Sequence, residues 1–200
     1  MSLIKSAWEI ALEKTEDIEV DENKIRKDQR IEKGRRLAGS YLSDVEATLE
    51  EFEDSYNREP EEHRKDINLG IARTVISNIA LPQNDDYLPR MEKIANLAGL
   101  ISENGEEIAH HIGQLSGLMG QYLEARETLL ERAKAQYQPM FEQKQQQMMA
   151  QYGRASYSSV EQDPEFIQFL QKHYKQLSAQ YQETLDRTKE DLRQLWDISE

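Results

Sequence analysis

Apolar residues recur along most of this chain at the pitch of an α-helix. The clearest row is Ile108, Ile112, Leu115, Met119, Tyr122, Arg126, Leu129, Ala133, Gln136 and Met140, in steps alternating between four and three. Such a row is the seam of a helix lying against other helices, and Arg126 and Gln136 interrupt it, so a perfect coiled coil is not expected. A second long row holds Phe166, Leu170, Tyr174, Leu177, Tyr181, Leu185, Thr188, Leu192 and Leu195. Asp163-Pro164-Glu165 opens it as N-cap, first helical residue and dipole-matched acid. The two rows predict an antiparallel pair of long helices, with Trp196 and Ile198 anchoring the end.

Shorter elements precede them. Residues 1–16 read as a helix with Ile4, Ala7, Trp8 and Ala11 on one face and Leu3 and Leu12 at its margins. The acidic linker 17–22 breaks its period, so it reads as a docking helix tethered to a bundle of residues 23–200. The bundle begins with one helix from Asn23 to Asn57, carrying the row Ala38, Tyr41, Val45, Thr48, Phe52 and Tyr56. A third helix follows the Arg58–Glu62 turn and runs to about Ala80, where Gly70 suits close approach of another helix. A loop from Leu81 leads to a fourth, Tyr87 to Ser102, and Gly105 then reads as a left-handed stop or as part of one continuous helix.

In the helix of the first row, Gly113, Gly117 and Gly120 each cost ~1 kcal/mol against Ala, so close backbone packing is the expected offset, with a hinge or ligand groove as the functional alternative. Pro139 should kink or end that helix. The Gln-rich stretch beyond reads as weakly packed helix or partial disorder, and Tyr152 to Ser159 as a loop.

Composition narrows the class. Charged residues are 32% and hydrophobic ones 38%, which suits long helices with wide wet faces. The expected fold class is therefore all-α, an elongated helical bundle with long antiparallel helices. A net charge of −13 disfavours nucleic acid and anionic lipid as partners. The absence of cysteine excludes disulfides, thiolate metal sites and Cys nucleophiles, and fits a reducing compartment. No apolar run approaches the ~20 residues of a membrane span. The first residues lack the uninterrupted apolar core of a secretory signal, so the cytoplasm is the expected location.

Candidate chemistry is sparse. Glu107 and His110, in the cluster Glu103, Glu106, Glu107, His110, His111, have the Glu-x-x-His spacing of carboxylate-bridged metal bundles. A second such pair is missing: three residues before His63 and His173 stand Pro60 and Leu170. Arg26, Arg30, Lys33 and Arg36 form one basic stripe able to hold an anion, without the interleaved aromatics that stack bases. No phosphate-loop, dinucleotide, zinc-protease or nucleophile-elbow signature occurs, and no cofactor is expected.

The string Ile4-Lys5-Ser6-Ala7, continued by Glu9-Ile10-Ala11-Leu12-Glu13-Lys14-Thr15, resembles the start of small helical bacterial proteins of unknown function. That resemblance implies no activity. The residues taken together predict a non-enzymatic structural or adaptor protein acting through helix–helix contacts with a protein partner or itself, as a homo-oligomer. Trp8, Leu12, Leu115 and Leu129 are the residues expected to carry association. The alternatives are a metal-dependent bundle enzyme using Glu107 and His110, and an anion-binding regulator using the basic stripe.

Overall fold

The computed structural model describes residues 21–84, 86–102, 105–153 and 157–198, with the backbone alone at Glu106. The expected docking helix, with Trp8 and Leu12, and the linker up to residue 20 lie outside the described residues. Within them the chain forms six α-helices and no strand: α1 Glu22–Ser43, α2 Leu49–Asn57, α3 Arg64–Asn78, α4 Tyr87–Leu100, α5 Gly105–Tyr152 and α6 Pro164–Leu195. Short 3₁₀ turns, Glu61–His63 and Val160–Gln162, lead into α3 and α6. The chain is all-α, as its periodicity predicts.

Helix α1 starts where the Asp21 carboxylate accepts the Lys24 amide at 3.0 Å. Its decisive contact is with α3. A Cβ built on Gly34 would lie 2.1 Å from the Ile67 carbonyl oxygen, and one on Gly70 would lie 2.0 Å from that of Ile31. Each helix therefore presses backbone into the other where it has no side chain. Gly70 performs the close approach expected of it; Gly34 is the partner that its own stretch of sequence did not flag. The two helices run in the same direction. Arg30 meets Asp66, and farther along both helices Arg35 and Arg36 share a groove with Arg73 and Ser77.

Parallel neighbours need a return between them, and this corrects the single helix expected from Asn23 to Asn57. Helix α1 ends at Ser43, and the chain turns before α2 runs back. The cause is a capping box: the Glu51 amide donates to Thr48 Oγ1 at 3.3 Å, and the Thr48 amide donates to the Glu51 carboxylate at 3.1 Å. Thr48 is thus a cap rather than a row position, and Val45 in the turn is 92% exposed. Lys93 of α4 holds the turn, its ammonium donating to the carbonyls of Asp44 at 2.6 Å and Ala47 at 3.0 Å beneath the Tyr41 ring.

Helix α4 runs back along α3, its Tyr87 hydroxyl donating to the Asn78 carbonyl and accepting from the Ala80 amide. Gly105 opens α5 with ordinary backbone angles rather than terminating a helix; the left-handed glycine among the described residues is Gly153, which ends α5. Helix α5 is 48 residues long and continues through Pro139. Pro139 and Ala135, whose carbonyl loses its partner there, both lie on the exposed side, where water can satisfy that oxygen. The Gln-rich stretch is helical as well.

Helix α6 returns antiparallel to α5. Tyr137 packs on Phe166, Tyr122 on Tyr181, and the Trp196 indole donates to Ser102 Oγ at 2.9 Å. The main core joins α1–α4 to the first part of α5 and the last part of α6. A smaller core of Ala133, Tyr137, Phe141, Val160 and Phe166 closes the far end of the α5–α6 hairpin. The seam follows the expected row from Ile108 to Tyr122, then shifts. Tyr137 and Phe141 are buried where Gln136 and Met140 were expected, and Met140 is 54% exposed. A 3.5-residue repeat stays on one face only if the helix supercoils; a straighter helix drifts by ~20° per heptad.

The other glycines correct a second expectation. Nothing lies within 4 Å of a Cβ built on Gly113, Gly117 or Gly120, so among the described residues no close packing offsets their cost. The two sets should therefore respond oppositely to substitution. Gly70→Ala should lose about 2–3 kcal/mol, because overpacking against a backbone carbonyl exceeds the helix-propensity gain. Gly113→Ala should gain up to about 1 kcal/mol. Urea unfolding followed by circular dichroism measures both, and equal effects would refute the crossing.

Candidate functional site

Three places concentrate polar chemistry. The first is buried at the hairpin's far end. Asp163 has no exposed surface, caps α6 by accepting the Glu165 amide at 3.1 Å, and takes both oxygens to Lys144 Nζ at 3.0 Å. The Tyr137 hydroxyl donates to Asp163 at 3.3 Å, and Lys144 also reaches Glu165 at 3.2 Å. Burial pushes the Asp163 carboxyl up, but the Lys144 ammonium and the Glu165 amide prevail and hold it below the ordinary aspartate value. Tyr137 is pushed up to about 12, first by burial and then by the charges of Asp163 and Glu165. None of these four lines the grooves described below, so the cluster does structural work: it ties the start of α6 to α5. Sequence reading found the cap in Asp163 but not Lys144, which stands in the Gln-rich stretch.

The second place is a groove of about 620 Å³ along one side of the α5–α6 pair, between the two cores. Leu129, Leu177 and Tyr181 are half-buried in it, with Glu124, Arg132 and His173 on its walls. The opposite side of the pair is closed by Arg126. Its guanidinium lies 4.9 Å from the Tyr174 ring and donates to the Gln83 carbonyl at 2.8 Å. The residue that interrupts the apolar seam is thus a clamp onto the α3–α4 loop. Leu115 is 1% exposed in the main core and is spent on the chain's own packing, whereas Leu129 faces the open groove.

The third place is the basic stripe. Arg30 Nε donates to Asp66 at 2.6 Å, Lys33 meets Glu59 at 2.5 Å, and Arg26 meets Glu22 at 3.2 Å. Arg36 contacts only Glu32, at 3.5 Å. Glu107 and His110 both face solvent, with His110 Nε2 3.0 Å from the Gln114 side-chain nitrogen. Among the described residues no three His, Asp or Glu side chains gather to hold a metal ion. No described helix is long and apolar enough to cross a membrane.

These features define a class: an α-helical bundle extended by a long two-helix hairpin. The chain belongs to DUF6657, a family of unknown function, whose model matches residues 53–194. No curated protein and no solved structure matches it. The expected membership of an uncharacterised family therefore rests on the region from α2 to the last turn of α6, and not on the N-terminal string that carried the resemblance.

The buried cluster makes a pH prediction. The folded pKa of Asp163 is depressed, so its stabilisation is present above the ordinary carboxyl value of ~3.9 and fades as pH falls through the folded value. Tyr137 has a raised pKa, so its contribution is complete below ~10 and disappears as pH rises through about 12. Tyrosinate absorbance should show a component near 12 that Tyr137→Phe removes; if that variant instead lost a component near 10, the geometry would be contradicted. Asp163→Asn should cost about 1–3 kcal/mol by removing the buried partner of the Lys144 ammonium, which keeps Glu165 alone.

Proposed function

We propose that this protein is non-catalytic and works by helix-to-helix contact, pairing with a second copy of itself along the open side of α5 and α6. The observation that carries the reading is the groove lined by Leu129, Leu177 and Tyr181, whose apolar atoms are left half-covered between two complete cores. Gly113, Gly117 and Gly120 lie upstream of it on α5, and among the described residues nothing comes within 4 Å of a Cβ built on them. A second backbone packed there would supply the missing offset for about 3 kcal/mol of lost helix propensity.

The charges favour a copy over an unrelated helix. Glu124 and Arg132 stand about two turns apart on the same wall of the groove. Two copies placed antiparallel bring each Glu opposite the other's Arg, which is the self-complementary pattern of a two-fold interface. Leu129 is the expected association residue that lies on this surface, while Leu115 supports it from inside.

Size-exclusion chromatography with light scattering should give twice the chain mass at micromolar concentration. Gly117→Leu should yield a monomer with an unchanged or raised melting temperature, because a Cβ there has no described neighbour within 4 Å. A native protein that stays monomeric at all concentrations, or a Gly117→Leu dimer, would end the proposal.

A further inference from the structure

The Gly34–Gly70 crossing does more than hold two helices. It brings Arg35, the residue after Gly34, and Arg73, one turn beyond Gly70, to the same side of the pair; a Cβ on Gly70 would stand 2.9 Å from the Arg35 amide nitrogen. The result is a groove of about 570 Å³ walled by Glu32, Arg35 and Arg36 of α1 and by Arg73, Ser77 and Asn78 of α3. We propose that this groove binds a phosphate group, held by the guanidinium groups of Arg35, Arg36 and Arg73.

The charge balance carries the argument. The chain has a net charge of −13, yet three arginines here face one carboxylate. Glu32 is shared, at 3.4 Å from Arg35 and 3.5 Å from Arg36, and both contacts are long for an ion pair. Arg73 is exposed and makes no hydrogen bond or ion pair with any described residue. Two positive charges are left over, which matches the charge of about −2 on a phosphate monoester at neutral pH. Its three peripheral oxygens suit three planar forks, a geometry lysine cannot offer. Ser77 spends its hydroxyl donor and Asn78 one of its two amide donors on the Thr74 carbonyl, so the arginines are the principal ligands.

The neighbouring groove on the same helix pair shows the contrast. There Lys27, Arg64 and Lys65 share the lining with three carboxylates, Glu61, Asp66 and Asp197, of which Asp66 also holds Arg30. Of the stripe picked out by sequence, Arg30 and Lys33 are likewise taken by acids from other elements, and Arg36 alone belongs to the phosphate groove. Arg73 is on a different helix, and no one-dimensional spacing connects it with Arg36.

Calorimetric titration of the full chain at low salt tests the site, with inorganic phosphate in one arm and a phosphoserine peptide in the other. Saturable binding of one equivalent is expected in at least one arm, and the tighter arm tells free phosphate from a phosphorylated partner. Arg73→Gln should weaken that binding at least tenfold. Glu32→Gln, which removes the built-in competitor, should tighten it severalfold, and Arg26→Gln should leave it within twofold. Both test positions are exposed or half-exposed, and circular dichroism checks that the variants fold. No binding in either arm, binding indifferent to Arg73→Gln, or binding confined to a polyanion such as RNA would overturn the proposal.

Discussion

Two helices of this protein touch backbone to backbone at Gly34 and Gly70, and the rest of the bundle is arranged around that contact. Each glycine lies against a carbonyl oxygen of the opposite helix, so neither position has room for a methyl group. Once α1 and α3 are locked in the same direction, the chain between them must run back. The Thr48 capping box and the Lys93 ammonium make that reversal. Helix α4 then covers α3, and the first part of α5 covers α4. The main core is what those four helices enclose with the end of α6.

The hairpin obeys different physics. Beyond the main core, α5 and α6 have mostly each other, and two helices alone bury little apolar surface. The chain answers with local fastenings. Arg126 spans two tyrosine rings and a loop, the Tyr122 hydroxyl lies 2.8 Å from Ser178 Oγ, and a buried carboxylate–ammonium pair closes the far end. A pair so fastened keeps its shape while one flank is left open among the described residues, and the proposed pairing with another copy would use that flank. Buried ion pairs contribute little net stability, and their value lies in fixing one arrangement.

The two glycine sets show why residue type alone does not assign a role. Gly34 and Gly70 are packed against another helix; among the described residues nothing packs on Gly113, Gly117 or Gly120. Both sets sit mid-helix and carry the same intrinsic penalty. What separates them is which face of each helix meets another element. Arginines divide in the same way. Arg30 has an acid waiting on α3, while Arg35, Arg36 and Arg73 are gathered around a single glutamate.

Much of the secondary structure was legible in one dimension because helical periodicity and end signals are local. The all-α class, the long α5 and α6, the Asp163 cap, the close approach at Gly70 and the seam from Ile108 to Tyr122 could all be read from neighbours a few residues apart. The break before Thr48 was readable too, in the Thr-x-x-Glu of a capping box, but an uninterrupted apolar row outweighed it. Nothing local could tell that the seam would shift to Tyr137 and Phe141, since that depends on whether two helices supercoil over many turns. Nor could it reveal the Lys144–Asp163 pair or the meeting of Arg36 with Arg73. Those partners lie on separate helices, and only the crossing and folding back of the chain bring their charges within reach of one another.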